Sequence, residues 1–208
     1  MKPHSTIKTL ISFNFGLLLL ISVSCKKDTS KAPSPPAKDE EVPRMINIDL
    51  SERSLSKGGS VSIDLNGDGM WELMFNTSNY AQDNNTKSRC EFRVYSSPST
   101  FLSIDTIAEA TRALHAGERI TLSDMPKYAW LNYNSVSLLQ EVSGHSSTYW
   151  EGPWVNADHL YFPFRLRKAN KVHLGWVEIS NDTLAKQLIF HRAAFSEIAD
   201  KEIDAGRM

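Results

Sequence analysis

The chain is short of cysteine. Its 208 residues contain two, Cys25 and Cys90, and Cys25 directly follows an apolar N-terminal segment. A domain that begins after this segment has Cys90 alone and cannot form an internal disulfide. Since Cys90 falls in a strand pattern, we expect a buried thiol; a reactive or intermolecular thiol is the alternative. The fold must therefore depend on an apolar core, with or without help from a metal ion.

An excess of charge of either sign is also lacking. Lys and Arg total 23, and Asp and Glu total 24. Residues 1–25 contain Lys2 and Lys8 but no acidic residue, so the rest of the chain has 21 basic and 24 acidic side chains, a net charge of −3. A nearly neutral chain without a basic stripe argues against nucleic acid as a partner.

Familiar catalytic motifs are missing too. There is no phosphate loop, dinucleotide fingerprint or zinc-protease helix motif. Residues 144–148 begin like a hydrolase nucleophile elbow, but Thr148 stands where that motif needs its second glycine. His159, His173 and His191 lie on late strand candidates and could approach one another, although histidines on strands are usually not metal ligands. The chain is therefore not expected to be an enzyme, and a hydrolase with carboxylate chemistry is the less favoured alternative.

The N-terminus does carry an export pattern. Lys2 and Lys8 precede the apolar stretch Leu10–Val23, which is shorter than the about 20 apolar residues that a membrane helix needs. The ending Ile21-Ser22-Val23-Ser24-Cys25 resembles a lipobox. That resemblance implies a signal peptide over 1–24 and a lipidated Cys25 as the membrane anchor. A plain secretory signal and an uncleaved anchor are the alternatives.

Residues 25–45 are predicted to be a flexible linker. This stretch is rich in Lys, Ser, Pro, Asp and Glu and has almost nothing apolar to bury. Its start, Cys25-Lys26-Lys27-Asp28, resembles lipoproteins of the Bacteroidota, which implies the cell envelope and the outer membrane, on its periplasmic or surface face. A solvated spacer that holds a domain in the periplasm is the alternative.

Residues 46–208 are predicted to form a single all-β domain, an antiparallel β-sandwich or a barrel-like sandwich. Apolar and polar residues alternate in many short segments separated by Gly, Asn, Ser and Asp. The strand candidates are Ser60–Asn66, Met70–Asn76, Cys90–Tyr95, Val136–Val142, Leu160–Arg167, Val172–Ser180 and Leu188–Phe195. Thr106–His115 fits a short helix or a strand. Trp71 and Trp176 alternate with core positions and are expected to be buried.

The segment from Asp64 to Glu72 has the spacing of a calcium loop. Oxygen ligands are offered by the side chains of Asp64, Asn66, Asp68 and Glu72 and by the backbone carbonyl of Met70. The position of the bidentate Glu of an EF-hand is occupied by Phe75, and strands rather than helices flank the loop, so an EF-hand is excluded. A structural calcium ion is the favoured interpretation. A metal-free turn is the alternative, because Asn-Gly and Asp-Gly are good turn dipeptides.

This loop and the late strands share the order of a known kind of protein. The calcium-type hairpin is followed by Tyr161–Arg165, then by His173–Ile179 with its Gly-Trp pair, then by Ile189–Phe195. The order is similar to that of small secreted or lipid-anchored bacterial β proteins of unassigned function. The resemblance implies a sandwich whose last three strands form one antiparallel sheet, and it implies no catalytic residues.

Aromatic residues are concentrated between two strand candidates. Tyr149, Trp150 and Trp154 lie in one predicted loop. Exposed rings there would bind a glycan or an envelope protein; alternatively, the tryptophans cap the end of the core. The sequence thus favours a non-enzymatic binding module anchored in the cell envelope, with a structural or accessory subunit of an envelope complex as the alternative.

Overall fold

The computed structural model describes residues 43–208 apart from positions 83, 85, 133 and 134. The predicted signal peptide, Cys25 and nearly all of the predicted linker therefore lie outside the described residues. The first strand begins at Met45.

The described chain is built of antiparallel strands and contains no helix, which confirms the predicted all-β class. The strands are β1 (Met45–Ser56), β2 (Ser60–Ile63), β3 (Leu73–Gln82), β4 (Lys87–Ser96), β5 (Thr100–Asp105), β6 (Ala110–Thr111), β7 (Arg119–Ile120), β8 (Tyr128–Leu131), β9 (Val136–Gly144), β10 (Thr148–Glu151), β11 (Leu160–Lys168), β12 (Lys171–Asp182), β13 (Gln187–Ser196) and β14 (Ile203–Asp204). Within this part of the chain, no helix is long and apolar enough to cross a membrane.

Two large sheets make the sandwich. The five-stranded sheet has the order β10-β9-β4-β3-β2. The seven-stranded sheet has the order β1-β13-β12-β11-β5-β6, and β8 also pairs with β5. As the resemblance implied, β11, β12 and β13 are consecutive antiparallel neighbours. A small ladder of β7 and β14 forms a third sheet.

The main core lies between the two large sheets. Phe75 from the five-stranded sheet meets Phe190 and Phe162 from the seven-stranded sheet, with ring centroids 4.8 and 5.8 Å apart. All three rings are almost fully buried. Burial of one such side chain contributes about 1.5–3 kcal/mol, so these aromatic contacts are a large part of what holds the sheets together.

A second apolar cluster covers the outer face of the seven-stranded sheet. Trp176, Leu174 and Tyr161 project from β11 and β12 into it, and Ile120 and Ile203 of the small ladder pack against them. The rings of Tyr161 and Trp176 meet edge to face, with centroids 5.1 Å apart. The central strands of this sheet are therefore buried on both faces.

Gly175 is required by the close packing of that sheet. It lies opposite Phe164 in the β11–β12 register, and the Phe164 ring leans over it. A Cβ at this position would meet the Phe164 ring and would lie 2.6 Å from the carbonyl oxygen of Ala194. The Gly-Trp pair of β12 thus combines a close approach at Gly175 with a buried ring at Trp176.

Three sequence expectations have outcomes in the fold. Cys90 is buried in β4, as expected, and burial raises the pKa of its thiol. Thr106–His115 is not a helix: it begins with a turn over residues 106–109, and the two-residue strand β6 follows. The expectation that Trp71 is buried is wrong: β3 begins only at Leu73, and Trp71 is 39% exposed in the preceding loop.

Candidate functional site

The acidic loop joins β2 to β3 at one end of the sandwich. Ile63 and Leu73 pair across the base of the loop, and the backbone N–H of Glu72 donates to the carbonyl of Ile63 over 3.0 Å. Leu65 is buried in the main core and fixes the first half of the loop. The segment is therefore a strand–loop–strand turn whose two ends are held by core residues.

Asp64 organises the backbone of the loop. Its two carboxylate oxygens accept hydrogen bonds from the backbone N–H groups of Gly67, over 2.7 Å, and Gly69, over 2.8 Å. Both glycines have a positive φ, 76° and 86°, which glycine adopts without steric cost. These bonds, that of Gly69 foremost, lower the pKa of Asp64. Asp64 therefore stays ionised while it holds the turn closed.

Asn66 and Asp68 continue the same pattern. The side-chain oxygen of Asn66 accepts from the backbone N–H of Asp68, and a carboxylate oxygen of Asp68 accepts from that of Met70, both over 2.8 Å. Asn66 also donates through Nδ2 to Oε1 of Glu72 over 2.8 Å. Each oxygen-bearing side chain is thereby held in a defined orientation around the centre of the loop.

Glu72 closes the loop from the β3 side. Its Oε2 accepts from the backbone N–H of Leu65 over 2.7 Å, and the residue is only 3% exposed. Burial raises the pKa of Glu72, and the negative charges of Asp68 and Asp64 raise it further. The site thus concentrates negative charge at a buried position.

The three carboxylates converge as the spacing predicted. Asp64, Asp68 and Glu72 each offer an oxygen that lies within 4.8 Å of the other two. A calcium ion with ligands at 2.3–2.6 Å bridges oxygens at such separations. Asn66 lies in the same cluster, since it donates to Glu72. The Met70 residue is 71% exposed, and its backbone carbonyl remains the predicted ligand atom.

A cleft of about 310 Å³ opens beside the loop. Asp68 and Glu72 form part of its wall, Trp71 adds an exposed ring, and Arg167 lines another part. The cleft therefore combines acidic, basic and aromatic groups next to the acidic cluster. Trp71 was missed as a surface residue because its position fits the alternation of Leu73 and Phe75.

The aromatic segment is arranged differently from the predicted loop. Tyr149 and Trp150 lie on strand β10. Tyr149 is 41% exposed, whereas Trp150 is half-buried against Phe92, with ring centroids 5.8 Å apart. Trp154 is fully buried, and its indole N–H donates to the Thr111 hydroxyl over 2.8 Å. The prediction that Trp154 belongs to an exposed binding patch is therefore wrong. Its burial agrees with the alternative, in which the tryptophan caps the core.

Tyr149 has surface neighbours that sequence reasoning missed. Tyr149 pairs with Val142 on β9, and Val142 pairs in turn with Arg89 on β4. Arg89 then pairs with Tyr80 on β3. Residues directly opposite each other in antiparallel pairs point to the same side of a sheet. The only local signal was the polar half of the alternation in β3 and β4, which does not show which distant strands become neighbours.

The late histidines come together only in part. The rings of His159 and His191 stack with centroids 4.2 Å apart, while His173 contacts the backbone oxygen of Ser196 at 2.8 Å. His159 Nδ1 lies 2.7 Å from Glu178 Oε1, and His191 Nε2 lies 2.9 Å from Ser180 Oγ. Stacked rings direct their in-plane lone pairs along separate planes, so the pair does not converge on one ion. The idea of a three-histidine metal site is wrong.

No protein-family model, no curated protein and no solved structure matches this chain.

Proposed function

We propose that this protein is a non-enzymatic binding module of the cell envelope, anchored through a lipidated Cys25 and stabilised by a structural calcium ion in the loop from Asp64 to Glu72. Its ligand is a glycan or an envelope protein. The observation that carries the calcium part is the convergence of three carboxylates on one point of a loop whose ends are fixed in the core.

The charge balance of the loop supports a bound cation. Within the described part of the chain, no lysine or arginine forms an ion pair with Asp64, Asp68 or Glu72. Burial, and after it the negative charges of Asp68 and Asp64, raise the pKa of Glu72. A bound divalent cation would offset these negative charges, and the loop offers the hard oxygen ligands that calcium prefers.

Calcium should stabilise the protein by mass action. With a dissociation constant of about 10⁻⁴ to 10⁻³ M, typical of extracellular modules, a tenfold excess of free calcium adds about 1.4 kcal/mol. For a domain of this size the melting temperature should rise by about 3–6 °C. The measurement is thermal unfolding in EDTA and in millimolar calcium, with the Asp68→Asn variant expected to lose the shift.

The matched control for that experiment is Glu109→Gln. Glu109 is an exposed acid in the turn between β5 and β6, so its removal changes the net charge equally and should keep the calcium shift. Equal melting temperatures with and without calcium in the parent protein would exclude the calcium site. A shift of the same size in Asp68→Asn would place the ion elsewhere.

The anchor is supported by the leader sequence. A positive start, a short apolar stretch and a small residue before Cys25 fit a processed lipoprotein signal. Two or more acyl chains would hold the protein at the membrane durably. Metabolic labelling with radioactive palmitate should mark the parent protein and not Cys25→Ser, whereas Cys90→Ser should stay labelled. Label retained in Cys25→Ser would exclude this anchor.

A further inference from the structure

The five-stranded sheet has an outer face that differs from its core face. Tyr80, Arg89 and Tyr149 lie in one cross-strand row of this face. Glu91, Gln140 and Glu151 lie in the next row, since Glu91 faces Gln140 and Gln140 faces Glu151. We call these two rows the open face.

Two tyrosines mark the ends of the first row. Tyr80 is 45% exposed and Tyr149 is 41% exposed, so both rings present surface to solvent. They lie on β3 and β10, with β4 and β9 between them, which places them three strand spacings or about 14 Å apart. Val142, between them in the row, is fully buried beneath its neighbours. The row is therefore a shallow surface bounded by two rings.

The groups between the tyrosines are held in place by one another. Arg89 Nη1 donates to Glu151 Oε2 over 3.0 Å, and Gln140 Nε2 donates to the same oxygen over 2.8 Å. Such planar groups lose little further freedom when a ligand binds, because their orientation is already fixed. The open face thus presents ordered donors and acceptors beside aromatic rings.

The open face has no excess of positive charge. Its two rows contain one arginine, Arg89, and two glutamates, Glu91 and Glu151, a net charge of −1, and Arg89 Nη1 lies 3.0 Å from Glu151 Oε2. Glu91 Oε2 also lies 3.6 Å from Nη1 of Arg93 in the neighbouring row. Such a surface does not attract a polyanion such as a nucleic acid or an anionic lipid surface. Protein interfaces are centred on apolar anchors in a desolvated core, whereas the centre of this surface is charged and polar.

A neutral sugar chain matches what remains. Its hydroxyl groups both donate and accept hydrogen bonds, and the C–H faces of its rings are flat apolar surfaces that suit exposed tyrosines. We propose that the open face binds a neutral oligosaccharide that crosses the strands, with sugar rings against Tyr80 and Tyr149 and hydroxyl groups on Arg89, Gln140 and Glu151. This inference rests on the proposed role as a binding module and is independent of the calcium loop.

The spacing of the rings sets the size of the ligand. A ligand must extend about 14 Å to contact Tyr80 and Tyr149 together, so a chain of several sugars should bind much more tightly than a single sugar. Loss of either ring should weaken binding about tenfold, as truncation of an aromatic anchor typically does. Arg89→Lys keeps the charge but loses the planar fork, and should weaken binding as well.

The test is affinity electrophoresis of the full-length protein in a detergent without sugar headgroups. The gels contain a soluble β-glucan, xylan, mannan or dextran, with polygalacturonate as the anionic comparison and free glucose as the single-sugar competitor. We expect at least one neutral polymer to retard the protein, and expect Tyr80→Ala and Tyr149→Ala to need about tenfold more polymer for equal retardation. Tyr128→Ala removes a half-buried ring from the seven-stranded sheet and should behave as the parent protein does.

The possible results separate this site from the broader proposal. Retardation that persists unchanged in both Tyr80→Ala and Tyr149→Ala overturns the open face but leaves a glycan-binding module. Retardation by polygalacturonate alone, or by none of the polymers, overturns the neutral glycan as ligand. Repeating the gels in EDTA should leave retardation intact, since the open face shares no residue with the loop from Asp64 to Glu72. Unfolding curves for each variant distinguish lost binding from lost folding.

Discussion

The outer faces of the two large sheets are built for different surroundings. On the seven-stranded sheet, Trp176 and Tyr161 lie in a second apolar cluster and are covered by the ladder of β7 and β14. On the five-stranded sheet, the equivalent outward positions include Tyr80 and Tyr149, which are more than two-fifths exposed. One sheet is enclosed by its own chain, while the other leaves a surface that a ligand can reach.

The difference is written into the strands. In β4, buried residues alternate with partly exposed ones along most of the strand, as half-buried antiparallel strands do. In β12, six consecutive residues from Leu174 to Ile179 are buried, because both faces are covered. An open outer face therefore keeps partly exposed residues at every second position of a strand, whereas a covered outer face leaves both sets of positions buried.

The strongest test of this contrast compares Trp176→Ala with Tyr149→Ala. Trp176 is fully buried, so its truncation leaves a cavity and should lower the free energy of unfolding by about 3–5 kcal/mol. Tyr149 is half in solvent, and its truncation should cost about 1 kcal/mol or less. Urea unfolding followed by tryptophan fluorescence measures both, with the milder Trp176→Phe available if Trp176→Ala does not fold. Similar losses for the two positions would contradict the enclosed and open outer faces.

A smaller difference is expected between two glycines. Gly175→Ala forces a methyl group against the Phe164 ring and the backbone of Ala194, and should cost about 1–3 kcal/mol. Gly144, on β9 of the five-stranded sheet, has no atom closer than 3.8 Å to an added Cβ. Its replacement by alanine should change stability by no more than about 0.5 kcal/mol. Thermal unfolding of the two variants gives the comparison, and an equal effect would show that the packing at Gly175 is loose.

Much of the fold could be predicted from local pattern. The alternation of Val61 with Ile63, or of Phe162 with Phe164, depends only on neighbouring residues and on the period of a strand. The ladder of β7 and β14 that covers the seven-stranded sheet could not be predicted in this way, since these strands have two residues each and are too short to show a period. The prediction that Trp71 is buried failed for a related reason: the alternation in the sequence extends to residues that precede the start of β3 at Leu73.

The two parts of the candidate site differ in the same way. The acidic loop lies within nine consecutive residues, so the spacing of Asp64, Asp68 and Glu72 was enough to predict that their carboxylates converge. The open face is made by register between distant segments: Tyr80 and Tyr149 become neighbours in a row only through β4 and β9. Nothing in the local sequence around either tyrosine specifies that partnership.

Cys90 gives this architecture a natural reporter. Its thiol points into the core from β4, and burial keeps it protonated and out of reach of reagents. It is the sole cysteine among the described residues, so alkylation there proceeds only as fast as the inner side of the five-stranded sheet becomes accessible. The rate of Cys90 alkylation therefore reports how often the sandwich opens transiently, without any label having to be introduced.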